Sequence, residues 1–300
     1  MYLYHFGLGE LPFTLTPNTN FYFPMVMHDE ALAVLSTALQ TGEGFIKVIG
    51  EVGTGKTLLC RKLLNEMPDH FVTAYIPNPY LNPDELRRAV AVELGVKHAQ
   101  RMSVQLLTQR IQTRLLALHS QGHSVVLILD EAQALPEDSL EALRLFTNLE
   151  TETRKLLQVV LFAQPELDDR LATTAFRQLR QRITFSYKLR PMNAHEVQQY
   201  IHYRLQVAGY KGADIFSVKA CKKIARFSQG IPRLVNVLCH KMLMLSYGQG
   251  RHKMTGKILK AAIADTESID QGSNRKLWIF SSLVISSALL LFYYILVLKL

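Results

Sequence analysis

Residues 45–57 read FIKVIGEVGTGKT, and their interpretation decides the fold. FIKVI at 45–49 is a short, mostly apolar run that predicts a strand, and GEVGTGKT at 50–57 fits G-x-x-x-x-G-K-[ST]. LLCRKLLNEM at 58–67 then reads as a helix. A phosphate cradle needs these residue types in this order. Gly50, Gly53 and Gly55 let backbone N–H groups close around phosphate oxygens, and the helix N-terminus adds a favourable dipole. Lys56 is placed to reach the β- and γ-phosphates, and the Thr57 hydroxyl to ligate Mg2+. The expected nucleotide-binding run is therefore Gly50, Glu51, Val52, Gly53, Thr54, Gly55, Lys56, Thr57 and Leu58.

Such a loop needs a second metal contact, and VVLILDE at 125–131 supplies one. Its five apolar residues read as a strand buried on both faces. Asp130 is expected to bind magnesium, directly or through water, and Glu131 to polarise the water that attacks the γ-phosphate. Further strands are expected at 71–76, 157–162 and 183–189, separated by helical patterns at 84–94, 103–119 and 137–150. Strands alternating with helices predict a largely parallel five-stranded α/β sheet covered on both sides. Asn78 and Gln164 end the second and fourth strands, on the edge where ligands bind in such sheets. Gln164 is read as a residue that positions the water or senses the γ-phosphate, whereas Asn78 reads equally well as a turn residue.

After Pro191 the strand signals stop. Amphipathic helices are expected at 194–208, 217–228, 233–247 and 255–265, so the core is placed at 1–190 and a helical unit at 191–266. Residues 267–276 are polar at first and read as a linker. Residues 277–298, LWIFSSLVISSALLLFYYILVL, carry no charge over 22 positions. As a helix they extend about 33 Å, against a hydrocarbon core of about 30 Å. A single C-terminal transmembrane helix is expected there, with only Lys299 and Leu300 beyond it and no domain on the far side. The N-terminus lacks the pattern of a secretory signal. Together with Arg275 and Lys276 before the span, this predicts a body on the cytoplasmic side of the membrane.

Composition excludes other classes. With 48% apolar and 20% charged residues the chain is neither disordered nor fibrous. Three scattered cysteines, Cys60, Cys221 and Cys239, build neither a disulfide framework nor a cysteine zinc site. The net charge of +9 includes +3 from residues 275–300, so the body holds only +6. That excess is more in keeping with a solvated surface than with a nucleic-acid groove.

The loop, the strand ending in DE, the arginines before the fifth strand and GIPR at 230–233 together resemble the AAA+ ATPases. FGLGELPFTLTPNTNFYFPMVMHDEALAVL at 6–35, FAQPEL at 162–167 and RQLRQRITFSYKLRPM at 177–192 are more narrowly similar to the ExeA/GspA family of secretion-associated ATPases. The resemblance covers residues 5–265. It implies ATP as the nucleotide and a helical lid in which Arg233 contacts the γ-phosphate. It also implies an adenine pocket lined by Phe21 to Leu32, and an arginine finger among Arg177, Arg180 and Arg182 that acts on a neighbouring subunit. Position favours Arg182 and then Arg180, and a finger in trans implies a homo-oligomer, hexameric by analogy.

Within the family, a short chain ending just past its span is most similar to members serving the mannose-sensitive haemagglutinin (MSHA) type IV pilus. Peptidoglycan-binding extensions found in other members are not expected. The resulting functional expectation is a membrane-anchored ATPase that assembles or remodels such a pilus or a type II secretion machine, with inner-membrane assembly proteins as partners. A DNA-associated AAA+ regulator of the TnsC/TniB type is the alternative, favoured by basic segments such as KACKKIAR and disfavoured by the absence of a DNA-binding module after the lid. A scaffold that holds nucleotide without turning it over is a third, against which Glu131 argues.

Overall fold

A computed structural model describes residues 2–16, 18–97, 99, 102–146 and 155–266. In chain order the elements are α1 (Tyr2–Phe6), α2 (Val26–Gln40), β1 (Phe45–Ile49), α3 (Lys56–Glu66), β2 (Phe71–Ile76), α4 (Pro83–Glu93), α5 (Val104–Ser120), β3 (Ser124–Leu129), α6 (Glu137–Phe146), β4 (Gln158–Ala163), α7 (Glu166–Leu171), α8 (Arg177–Arg182), β5 (Ile183–Lys188), α9 (Ala194–Val207), α10 (Val218–Phe227), α11 (Pro232–Gly248) and α12 (Gly256–Ala264). The helix expected at 137–150 is seen to Phe146, and 147–150 lie outside the described residues. The linker expected at 267–276 and the span expected at 277–298 also lie outside them. Among the described residues no helix is long and apolar enough to cross a membrane.

The five strands form one sheet in the order β2-β3-β4-β1-β5, every neighbouring pair parallel. Strand composition tracks position. β4 is buried at all six residues and β3 at five of six, because both lie inside the sheet and are covered on two faces. β5 lies at an edge and alternates half-buried with exposed residues. The pleat sends Ile46, Val48, Val126, Ile128, Val160 and Phe162 into one apolar core with Leu35 and Leu39 of α2 and Leu59 and Leu63 of α3. Phe45, Ile49, Val125, Leu127, Val159 and Leu161 enter the other, under α4, α5 and α6.

Local signals explain where helices start. Asn82 accepts from the backbone of Asp84 and Glu85 while Glu85 accepts from Asn82, a capping box that fixes the first turn of α4. Asn193 and Glu196 repeat the device at α9. Glu196 also takes a two-pronged ion pair from Arg190, at 2.7 and 2.6 Å, which ties the chain leaving β5 to the first helix beyond it. α1 packs against α11, where Tyr2 Oη lies 2.9 Å from His240 Nδ1, and apolar residues of α9, α10, α11 and α12 continue the first sheet core.

Gly230 closes the turn between α10 and α11. Its φ is +72°, and its carbonyl accepts from the Met192 N–H at 2.9 Å. A Cβ there would lie 1.9 Å from the Met192 carbonyl oxygen. Gly230→Ala is therefore expected to destabilise the protein by about 2–4 kcal/mol, combining a left-handed backbone with a backbone collision. Thermal unfolding checks this, and an unchanged midpoint would refute the constraint.

Candidate nucleotide site

β3, β4 and β1 are neighbours, so their carboxyl ends lie side by side, and β1 emerges where successive connections leave in opposite directions. Three sequence-distant segments meet there: the loop 50–57 after β1, Asp130 and Glu131 after β3, and Gln164 after β4. They border a cavity of about 220 Å³ whose walls include Val52, Gly53, Gly55, Lys56, Thr57, Leu58, Glu131, Gln164 and Arg233. Gly50, Glu51 and Thr54 do not line it; Gly50 and Thr54 are buried and Glu51 is exposed. The Thr54 hydroxyl donates to the Glu51 carbonyl at 2.8 Å, and a Cβ on Gly50 would meet that same hydroxyl at 2.7 Å.

The loop's shape requires glycine at two points. Gly53 and Gly55 have φ of +83° and +96°, and added Cβ atoms would strike Arg233 Cβ at 2.5 Å and His28 Cε1 at 2.9 Å. His28 is fully buried in α2 and hydrogen-bonds through Nε2 to the Thr54 carbonyl at 3.1 Å, bracing the loop from beneath. Burial lowers its pKa, against the opposing effect of that hydrogen bond.

Lys56 is 4% exposed and donates to the Gly50 and Glu51 carbonyls at 2.8 and 3.1 Å. Burial lowers its pKa, opposed by the charges of Glu131, Asp130 and Glu51. Asp130 is 2% exposed and accepts from the Glu131 N–H at 2.9 Å. Burial raises its carboxyl, opposed by hydrogen bonds from Thr57 and that N–H. Glu131 stands in the left-handed region at φ +53°, an unusual conformation for a residue with a Cβ. Burial works against its ionisation. Hydrogen bonds from Gln133 (2.5 Å) and Gln164 (3.0 Å), together with Lys56, outweigh this and hold the carboxylate below the usual range.

These residues fit a magnesium-bound triphosphate. The glycine cradle leaves no room for side chains, Lys56 is a buried cation held by neutral carbonyls, and the Thr57 hydroxyl adjoins the Asp130 carboxylate as hard oxygen donors should. Among the described residues no cluster of three or more His, Cys, Asp or Glu side chains is placed to hold a metal alone. Magnesium that keeps water and phosphate oxygens in its shell needs no such cluster.

Three expectations require correction or addition. The cavity wall from the N-terminal segment is Thr14, Leu15, Thr16 and Asn18, not Phe21 to Leu32. Phe21 is instead buried beneath the Arg204 guanidinium, 4.6 Å from ring centre to charge, because its apolar ring is worth more in the core. Asn78 accepts from the Tyr80 N–H at 3.3 Å after the edge strand β2 and does not line the cavity, so it is a turn residue. Tyr200, Arg204 and Asn236 line the cavity without having been singled out. Their only sequence signal is a polar residue at a buried helical position. Arg204 donates to the Pro12 carbonyl at 2.6 Å and to Tyr200 Oη at 3.1 Å, while its Nη2 is buried without a partner. Arg180 and Arg182 lie in α8 and do not line this cavity; Arg182 donates to the Arg144 carbonyl at 3.2 Å.

Fold and site together define an AAA-type ATPase module, and residues 39–171 match the AAA domain family. The chain is ExeA/GspA-like: it is similar to General secretion pathway protein A of Aeromonas hydrophila, with 43% identity over 274 residues. The match takes in 91% of this chain and 50% of that protein, so the chain spans about half the length of the curated relative. Similar solved structures include Cdc6p from Pyrobaculum aerophilum (TM-score 0.62, 18% identity, 83% of this chain and 69% of that one). Another is the Aeropyrum pernix ORC2 protein in its ADPNP-ADP complexes (TM-score 0.60, 15% identity, 84% and 72%). At these identities the likeness concerns the fold.

Because Gln164 helps to hold Glu131 ionised, Gln164→Leu is expected to shift the Glu131 pKa upward. Carboxyl-carbon NMR titration reads this directly, and an unmoved titration would show that the 3.0 Å contact has no electrostatic consequence.

Proposed function

We propose that this chain is a membrane-anchored AAA+ ATPase that hydrolyses ATP with magnesium and works as a homo-oligomer, hexameric by analogy. The observation that carries the reading is the convergence of Lys56, Thr57, Glu131 and Gln164 on one cavity that also reaches Arg233, with Asp130 buried behind it and hydrogen-bonded to Thr57. Backbone N–H groups of the 50–57 loop and the Lys56 ammonium bind phosphate oxygens, and on binding Lys56 exchanges neutral carbonyls for anions. Thr57 and Asp130 would hold the magnesium, which would supply charge neutralisation to the phosphates when bound. Glu131, ionised at neutral pH, accepts the proton of the attacking water. Gln164, bonded to the same carboxylate, positions that water, and Arg233 on α11 contacts the γ-phosphate from the helical lid at 191–266.

Arg182, with Arg180 next in order, completes a neighbouring copy's site. Its position away from its own cavity suits a group that acts in trans. The biological role we infer is assembly or remodelling of a type IV (MSHA-type) pilus or a type II secretion machine at the inner membrane. The relation to General secretion pathway protein A supports this, as does the uncharged stretch 277–298, which we read as the anchor after a 267–276 linker.

Two measurements test the chemistry. Lys56→Ala is expected to lose nucleotide binding, and Glu131→Gln to keep binding while turnover falls by about 10²–10⁴-fold. Near-normal hydrolysis in Glu131→Gln would place the base elsewhere. In mixing experiments, Arg182→Ala supplied with Glu131→Gln subunits is expected to regain turnover in mixed oligomers, since intact arginines then face intact cavities. No recovery for either Arg182→Ala or Arg180→Ala would remove the finger assignment. Partners captured by Glu131→Gln in membranes read the biological role: pilus or secretion components support it, and DNA overturns it.

A further inference from the structure

α10 and α12 pack side by side and carry six exposed cations, Lys219, Lys222, Lys223, Arg226, Lys257 and Lys260, with no acidic residue on either helix. Residues 1–274 have a net charge of +6 in all. The remainder of the body is therefore balanced, and its whole excess is concentrated on this face. Between the helices runs a groove of about 470 Å³, floored by Phe227, Leu259 and Ile263 and rimmed by Lys223, Arg226 and Lys260. The nearest acid in sequence, Asp265, is already paired with Lys241 at 2.8 Å.

The occupant follows from where the chain goes next. The groove reaches Ala264, and ten residues separate Thr266 from Leu277, where the uncharged 22-residue stretch begins. Ten residues span at most about 35 Å even when fully extended. If 277–298 is in a bilayer, this end of the body cannot be far from the headgroups, and two further cations, Arg275 and Lys276, lie between. A cytoplasmic leaflet is anionic and attracts each nearby Lys or Arg. We propose that the α10–α12 face docks on an anionic phospholipid surface, with the cations on the headgroups and the groove against their apolar border. This would fix the orientation of the body on the membrane instead of leaving it to turn freely on a tether. The proposal rests on the membrane anchoring proposed above.

The test uses the full chain in liposomes. Cys60, Cys221 and Cys239 are buried, so a Gly256→Cys variant offers one exposed thiol for an environment-sensitive dye, at a position where a Cβ meets nothing within 4 Å. Quenching by headgroup-region doxyl lipids is expected in vesicles containing phosphatidylglycerol. It is expected to be weak in pure phosphatidylcholine, and to fall to that level in Lys223→Glu/Arg226→Glu/Lys260→Glu. Alkaline carbonate extraction of the same vesicles separates the two readings. A chain that resists extraction while its dye stays unquenched overturns the docking face and leaves the anchor standing. A chain that is extracted overturns the anchor and the docking face with it. Duplex DNA that shifts the dye in detergent, where phosphatidylglycerol vesicles do not, assigns the face to nucleic acid and also overturns the proposal.

Discussion

A lysine ammonium held 4% exposed is costly unless something repays its desolvation, and much of this molecule is arranged around that one group. Lys56 opens α3 because the loop before it turns twice through positive φ, and only glycine makes those turns without strain. Its carbonyl partners are neutral, while the charges of Asp130 and Glu131 act on it from the end of β3, one strand removed from β1. The parallel order β3-β4-β1 is what makes this possible: it delivers two carboxylates and an amide to the mouth of the loop from segments more than thirty residues apart. A triphosphate would replace hydrogen bonds to neutral carbonyls with ones to an anion, so the site is suited to receive negative charge.

The core of this arrangement was legible because it is written locally. A glycine-lysine-threonine run after a strand, a DE pair after a buried strand and a glutamine at a third strand end are each contiguous signals, and the parallel sheet brings them together without help from irregular structure. The N-x-x-E boxes at Asn82 and Asn193 set helix starts within a residue of expectation. What escaped depends on tertiary packing. Thr14, Leu15, Thr16 and Asn18 carry no periodicity that would mark them as a cavity wall. Phe21 is as apolar as a base-stacking residue would be, but it packs against Arg204. Tyr200, Arg204 and Asn236 occupy ordinary positions in amphipathic helices, and their role shows only when α9 and α11 fold back over the loop. His28, within the segment expected to line an adenine pocket, is instead buried by α2 beneath Gly55.

These overlooked residues form a connected polar seam. Tyr200 donates to Asn236 at 3.0 Å, Asn236 donates to the Thr14 carbonyl at 3.2 Å, and Arg204 joins Tyr200 to the Pro12 carbonyl. The seam joins two helices beyond the sheet to the segment that precedes α2. Arg233 meanwhile abuts Gly53, with its N–H 3.3 Å from that residue's carbonyl. The helices after Pro191 thus touch the nucleotide cavity along both the phosphate loop and the N-terminal wall.

That double contact gives the proposed cycle a mechanical consequence. A bound nucleotide shifts an equilibrium only by the difference in its affinity for two arrangements. Here the difference has an identifiable source, since Arg233 and the seam belong to the helical unit while Lys56, Asp130 and Glu131 belong to the sheet. In the proposed cycle, loss of the γ-phosphate would remove an anion that both units hold, and the restraint of α11 toward the loop would weaken. One further tie, the Arg190–Glu196 fork, lies at the junction of the two and makes no contact with the cavity. It is therefore suited to serve as the pivot. Motion of the helical unit about that pivot carries α10 and α12 with it, so a face docked on lipid would transmit nucleotide state to the orientation of the sheet relative to the membrane.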